Sequence, residues 1–403
     1  MTASHSVNIV IFAPNYLPAT RYGGPVQSSH GLARSLVRLG HNVQVFTTNE
    51  DGPDRLDVPL DTPVLIDGVI VRYYAIAALR RLYWSRSLRK GLKRSLRHAD
   101  VLHINGAFLW PGPMAAKLAR RMGVPYVHSP RGMLTAELIQ RKSRLVKRCW
   151  IALFEERCIR LAAAVHATSA LEASDVRELC PRSAPIVVIP NGVEAPVERG
   201  HHAGVDHWAE VPPGSRVAFL GRLDWKKGVD LAIEAVLHCP GARLRIGGYD
   251  QMEVAGLIAR FDPGGERVRY VGPLVGQEKW SFLAHADLLV VPSSHENFGN
   301  VVPEALAMGT PVICTRRVGA ATIVQRLDPA SVVERDVQEI AGAIARLLGN
   351  DVLRGEIGAA GERLVRAEYS WDGVAARMAE VYAASARARK TARPVWHRVP
   401  ARP

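Results

Sequence analysis

Residues 295–304 read HENFGNVVPE, which sets two carboxylates, Glu296 and Glu304, on either side of Phe298 and Gly299. The apolar run DLLVVPS before them reads as a strand ending near Ser293. Pro303, with its fixed φ and missing N–H, suits the first turn of a helix that Gly309 stops. Glu296 is then on the loop at the strand's carboxyl end, and Glu304 is in the helix's first turn. A carboxylate accepts two parallel hydrogen bonds and so fits a pair of vicinal hydroxyls, while the N–H groups at the helix start between the two acids suit an anion. Such an arrangement matches a ligand with diols on both sides of a phosphate. Taken singly, Glu304 reads equally as a favourable first-turn acid and Glu296 as a solvated loop residue.

A second constellation lies upstream in FLGRLDWKKGVDLAIEA. Arg222 closes a strand, and Lys227 precedes Gly228 and a helix with Val229, Ile233 and Val236 on one side. Arginine offers a planar fork to phosphate oxygens and lysine a mobile point charge. The pair could neutralise a diphosphate that accumulates charge as a sugar–phosphate bond breaks. Lys226 is expected to face solvent. Basic residues on such a loop are otherwise surface decoration, and it is the company of the two glutamates that favours a nucleotide sugar as ligand.

The elements that must position these residues alternate. VNIVIFAP is a continuous apolar run, as for a parallel strand covered on both faces, and a helical stretch ending at Gly40 leads to a second strand, HNVQVFTT. The pattern recurs at VLHING, VPYVHS, AVHATS and IVVIPNG. It restarts after a polar, Pro/Gly-rich stretch with VAFLG, LRIGG, VRYVG, DLLVVPS and PVICT. The fold class is therefore α/β, with two doubly wound, Rossmann-like parallel sheets whose strand C-termini are expected to face a shared cleft. The expected division is 1–193 for an acceptor-side domain, 194–212 for the linker and 213–370 for a nucleotide-sugar domain. A helix over 371–386, with Trp371, Val374, Met378 and Val381 on one face, is expected to cross back to the first domain. A basic tail over 387–403 is expected to be disordered.

The bulk numbers exclude some classes. With 403 residues, 48% of them hydrophobic, the chain can bury two cores, yet no apolar run approaches the ~18 residues of a membrane span. The N-terminus shows no leader pattern, so a cytoplasmic location is expected. Five scattered cysteines, Cys149, Cys158, Cys180, Cys239 and Cys314, form no CxxC and read as free thiols. The paired His201 and His202 lie in the junction and look too isolated to bind metal. No Asp-x-Asp triplet and no GxGxxG occurs, which counts against a divalent-ion site and a dehydrogenase.

Taken together, APNYLPATRYGGPV, HATSALEA, VIPNGV, GRLDWKKG, HENFGNVVPEALAMGTPVI and YSWDGVAARMAEVY resemble the retaining GT-B glycosyltransferases of family 4, the group with an E-x7-E motif. The resemblance covers nearly the whole chain. It implies that Arg222 and Lys227 bind the donor diphosphate, that Glu296 contacts the donor sugar and that Glu304 holds the ribose diol. The amides of Phe298, Gly299, Asn300 and Val301 would support sugar and phosphate. Gly23 and Gly24 match the family's glycine pair, which lets backbone N–H groups approach the diphosphate; an unliganded turn is the alternative. His128 stands where relatives carry a histidine near the reacting centre, though a lone histidine at a strand end is also a common structural feature. His103 is its weaker rival, and Arg131 suits either an acceptor phosphate or a local cap or salt bridge.

The resemblance further implies a UDP- or GDP-sugar donor, a glycan or lipid-linked glycan acceptor, a bacterial envelope or exopolysaccharide pathway, and no metal or other cofactor. An epimerase, a hydrolase or a non-catalytic nucleotide-sugar binder of the same fold are the alternatives. The net charge of +14 asks for an anionic partner. RRLYWSRSLRKGLKRSLR, over 80–97, interleaves basic residues with Leu82, Tyr83, Trp84 and Leu88, and RKSRLVKR adds more over 141–148. These segments suit an anionic membrane surface, placing the protein peripherally at the inner face of the plasma membrane. A solvated helix face is the plainer reading, and nucleic acid is disfavoured because no recognised binding motif accompanies the charge.

Overall fold

The structure is a computed structural model describing residues 6–19, 21, 23–76, 80–141, 144–196 and 206–391. His201, His202 and residues 392–403 of the tail lie outside the described residues. The chain divides into two compact units. The first comprises Met1–Ala167, Ala173–Ile189 and Ala375–Pro403, and the second Thr168–Glu172 and Pro190–Val374.

The first unit is built on eight strands: β1 (Asn8–Phe12), β2 (Asn42–Thr48), β3 (Pro63–Ile66), β4 (Val69–Tyr74), β5 (Val101–Asn105), β6 (Tyr126–Ser129), β7 (Ala164–Ala167) and β8 (Ile186–Val188). Their order is β8-β7-β6-β5-β1-β2-β4-β3, parallel throughout except for β3, which pairs antiparallel with β4 at the edge. The β3–β4 turn is Asp67-Gly68, both at positive φ, the two-residue hairpin chemistry that the right-handed strand twist favours. Neither strand was among those expected from the apolar runs, because β3 alternates half-buried with exposed residues instead of forming a continuous block.

The second unit carries six parallel strands: β9 (Arg216–Leu220), β10 (Arg243–Gly247), β11 (Val268–Gly272), β12 (Leu288–Val291), β13 (Val312–Thr315) and β14 (Val332–Val333). Their order is β11-β10-β9-β12-β13-β14. The chain winds outward from β9 in one direction and then restarts at β12 in the other. β9 and β12 are neighbours, with Val217 level with Leu288, so the loops leaving their carboxyl ends diverge at the switch point where such sheets bind ligands. Every residue of β12 and β13 is buried, as strands covered on both faces require. Val229, Ile233 and Val236 are buried on helix α1 (Val229–Leu237), the face their spacing predicts.

The C-terminal helix α2 runs over Trp371–Thr391, so the segment 387–391 expected in a disordered tail is helical. Its buried stripe is Trp371, Val374, Ala375, Met378 and Tyr382, with Tyr382 replacing the expected Val381, which is half-exposed. Four residues on from Met378, Tyr382 continues the row that a 3.6-residue turn sets up. From Ala375 onward the helix groups with the first unit.

Candidate active site

The second unit brings the predicted cations and acids to the switch point. The loop after β9 is folded by Asp224, whose carboxylate accepts from the Lys226 N–H (2.9 Å) and from Arg222 Nε (3.2 Å). Ser294 N–H donates to Lys226 O (2.7 Å), tying this loop to the one after β12. Gly228 is what allows that approach. Its φ is +68°, and a Cβ there would stand 2.5 Å from Pro292 O. The consequence is an ion pair between Lys227 Nζ and Glu296 Oε1, with Ser293 Oγ also donating to Oε1 (3.2 Å). The two paired side chains are 21% and 16% exposed, so the pair is partly desolvated yet within reach of a ligand.

Glu296 is fixed further by its backbone: its N–H donates to Arg317 O (2.9 Å), and its carbonyl accepts from Gly319 N–H (3.0 Å). Phe298 is buried in the unit's core, so it anchors the loop through its ring, and Gly299 turns the chain at φ +87°. Helix α3 (Val301–Ala307) follows. Its first internal bond is Glu304 N–H to Asn300 O, so the amides of Gly299, Asn300 and Val301 precede the ladder as donors of a helix start. Asn300 Oδ1 accepts from Asn191 Nδ2 (2.8 Å). The same loop is held by Ser169 Oγ donating to Asn297 O (2.6 Å) and by Asn297 Nδ2 donating to Thr168 Oγ1 (2.7 Å). Asn191 and the Thr168–Ser169 pair fall inside two of the motifs quoted above, VIPNGV and HATSALEA, though their hold on this loop was not foreseen.

Glu304 pairs with Lys279 (2.9 Å), a residue that sequence reasoning missed because nothing marks one lysine of GQEKWSF from any other. Arg222 is about half exposed and turned to Asp224 on its own loop. Lys227 Nζ stands 3.7 Å from where a Cβ on the adjacent Gly221 would be. The site thus carries two lysine–glutamate pairs, a half-exposed guanidinium fork held by Asp224, and a run of backbone donors. That inventory can bind a phosphate-bearing ligand with hydroxyl groups beside it.

The first unit holds the remaining candidates. Gly23 caps the helix Gly24–Arg38 at φ +61°, ψ −128°, with no side-chain cap hydrogen bond, a backbone state that L residues rarely adopt. Arg131 Nε donates to Asn105 Oδ1 (2.8 Å), which favours the structural alternative weighed for it. His103 is fully buried, and both its nitrogens are engaged, Nδ1 with Tyr382 Oη (2.6 Å) and Nε2 with Ser129 Oγ (2.7 Å). With both nitrogens engaged inside the protein, the geometry favours a structural role for His103. His128 is equally buried. Its Nε2 donates to Gly106 O (3.1 Å), but its Nδ1 has no hydrogen-bond partner among the described residues. Burial lowers the His128 pKa, partly offset by Glu155, so the imidazole is neutral. A cavity of about 650 Å³ in this unit, lined by Gln44, Asp61, Arg72, Tyr74 and Arg94 among others, holds none of the predicted site residues.

Comparison with known proteins places both units. Residues 23–192 match the model for the glycosyl transferase 4-like domain, and residues 214–350 that for glycosyl transferases group 1. The chain is 26% identical to a D-inositol 3-phosphate glycosyltransferase of Xylanimonas cellulosilytica, covering 89% of this chain and 91% of that protein. Over 49% of its length it is 34% identical to the phosphatidyl-myo-inositol mannosyltransferase of Mycobacterium leprae, covering 53% of the latter. The crystal structure of Anabaena HepE in complex with UDP-glucose matches with a TM-score of 0.71 at 17% identity, covering 94% of this chain and 100% of that one, a likeness of fold. On these matches and on its two Rossmann-like sheets, the chain belongs to the group 1, family 4-like glycosyltransferases and has the GT-B fold.

Proposed function

We propose that the protein is a retaining, metal-independent hexosyltransferase that moves a sugar from a UDP- or GDP-sugar to an acceptor hydroxyl, with a lipid-linked glycan of a bacterial envelope or exopolysaccharide pathway as the acceptor. The observation that carries the reading is the Lys227–Glu296 pair beside Arg222 and the loop amides at the switch point of the second sheet. The donor is assigned to the second unit and the acceptor to the first.

In this reading the diphosphate displaces Glu296 from Lys227, which then serves the phosphate oxygens together with Arg222. Both cations gain energy as charge builds on the leaving group, and that differential interaction is what accelerates the step. Glu296, released from the lysine, accepts hydrogen bonds from the sugar. Glu304 accepts them from the ribose diol, with Lys279 holding it in place. Gly23 and Gly24 add backbone donors to the phosphates. No protein nucleophile is assigned: the departing diphosphate helps to deprotonate the acceptor on the same face, which leaves the anomeric configuration unchanged. His128 serves a substrate hydroxyl near the reacting carbon. Support from relatives is coarser, since their names speak of inositol phosphates and phosphatidylinositol, and one structural neighbour holds UDP-glucose.

The test screens UDP-, GDP- and ADP-sugars for a raised melting temperature, then follows transfer with the sugar that binds. Lys227→Ala should keep the fold and lose ~100-fold or more in turnover. Wild-type turnover in that variant refutes the assignment. Release of free sugar without acceptor points instead to a hydrolase, and binding without any product to a non-catalytic binder.

A further inference from the structure

A buried carboxylate outside the residues considered so far faces His128. Glu155 ends a π-helical turn, Ile151–Glu155, and is fully buried. Such turns are rare and concentrate at functional sites. Its Oε1 accepts two hydrogen bonds, from Trp150 Nε1 (2.9 Å) and from the Phe108 N–H (2.7 Å). Its Oε2 has no hydrogen-bond partner among the described residues and lies 4.0 Å from His128 Nε2. The loop between them is strained: Phe108 sits at φ +59°, just beyond Gly106, whose carbonyl receives the His128 Nε2–H.

The energetics separate a functional device from incidental packing. A buried polar atom left unpaired costs about 1–3 kcal/mol, and native interiors leave few of them. Here two such atoms, Glu155 Oε2 and His128 Nδ1, occur in one contact. Glu155 and the Gly106 carbonyl both present acceptors to Nε2, so that nitrogen must carry the proton. The lone pair is then confined to Nδ1, the atom to which no described residue donates.

We propose that Glu155 is a positioning residue that holds His128 as its Nε2–H tautomer, directly and through the Phe108 loop, so that the Nδ1 lone pair is kept for a substrate hydroxyl. The substrate half of this inference rests on the proposed function; the tautomer half stands on geometry alone. The neutrality of His128 described above is consistent with it, because an imidazolium would have no lone pair to offer.

The test is a long-range ¹H–¹⁵N correlation spectrum of the full chain carrying ¹⁵N-histidine, with the His128 signals identified by their loss in His128→Asn. The wild-type protein should show Nε2 protonated and Nδ1 bare at pH 7. In Glu155→Gln the amide oxygen must keep facing the Phe108 and Trp150 donors, which turns its NH₂ toward Nε2, and the signals should move toward the Nδ1–H form. Glu155→Asp, which keeps the charge, should retain the wild-type pattern. Transfer by Glu155→Gln should fall ~10-fold or more in kcat, the scale of one hydrogen bond strengthened in the transition state, and Glu155→Asp should recover part of that loss. The KM for the donor should stay within about 3-fold of wild type, as for an interaction made in the transition state. A wild-type Nδ1–H tautomer, or unchanged His128 signals in Glu155→Gln, overturns the inference; the first outcome needs no variant to fold. If the signals respond as described but the wild-type protein transfers no sugar, the tautomer inference is upheld and it is the proposed function that fails.

Discussion

Glu304 and Lys279 show how much a single pair can decide. Both side chains are about a fifth exposed, so their mutual attraction is screened, and the pair contributes on the order of 1 kcal/mol to stability at most. In the proposed function the value of Glu304 to the donor is larger, because a carboxylate receiving two hydroxyls makes charge-assisted bonds of ~1.5–3 kcal/mol. Ribose is remote from the bond being broken, so this binding is the same in ground and transition states. Glu304→Gln should therefore raise the donor KM by ~10-fold or more and leave kcat within about 3-fold, measured by steady-state transfer. An unchanged KM would mean that the ribose lies elsewhere. That Arg222, Lys227, Glu296 and Glu304 stand beside the ends of two strands of one sheet was legible in the sequence, because residue types and places next to apolar runs are local facts. Lys279 and Glu155 were not. One is an unremarkable lysine on a helix and the other one acid of a Glu-Glu pair, and only tertiary packing gives either its partner.

A second level of order comes from elements locked together by buried polar groups. In the first unit, Tyr382 Oη donates to His103 Nδ1, His103 Nε2 to Ser129 Oγ, Ser129 Oγ to His166 Nδ1, and His166 Nε2 to Ile189 O, each at 2.6–2.8 Å. The donors run in one direction, so every member is satisfied and helix α2 is joined to strands β5, β6 and β7. Both histidines must be neutral for this order to hold. Burial pushes His103 well below its usual pKa and His166 down to about 3, with Arg131 adding to both shifts. The sign follows directly: folded values lie below the unfolded value of about 6.5, so the unfolded chain takes up protons first. Stability is complete above that pH and is lost as pH falls from there toward the folded values, by up to ~1.4 kcal/mol per pH unit for each group. The melting temperature should drop between pH 6.5 and pH 5, scanned by circular dichroism, and drop less steeply in His166→Asn, which cannot titrate. A flat profile over that range, or an identical slope in the variant, rules out this role. The strands themselves were readable from apolar runs, and helix α1 from its period. The β3–β4 hairpin was missed although its Asp-Gly turn was in plain view, since half-exposed edge strands carry no continuous hydrophobic block.

Over the whole chain, alternating strand and helix patterns sufficed to anticipate two doubly wound sheets, because parallel strands buried on both faces betray themselves as apolar blocks. The net charge of +14 was equally legible, but what its carriers face was not. The helix Arg86–Ser95 buries Leu88, Gly91 and Leu92 and exposes Arg86, Arg89, Lys90, Lys93 and Arg94, while Trp84 packs on Trp110 at 5.1 Å. The apolar residues of that segment therefore serve the core, and what it offers a membrane is charge. The second basic segment, described from Arg144 onward, differs: Leu145, Val146 and Leu153 are 78%, 69% and 67% exposed beside Arg144 and Arg148. No helix among the described residues is long and apolar enough to cross a membrane. Exposed aliphatic side chains set among arginines have the composition of a surface that dips into the headgroup layer. Flotation with vesicles containing anionic lipid should therefore show binding at low salt that weakens steeply as salt rises, since each basic residue near the surface contributes ~1 kcal/mol within a Debye length. Replacing Leu145 and Val146 together by serine should remove the fraction that survives high salt and leave the low-salt binding largely intact. No flotation with anionic vesicles would leave these segments as ordinary solvated surface and detach the lipid-linked acceptor from its main physical support, whereas equal flotation with neutral vesicles would deny the basic residues any part in it.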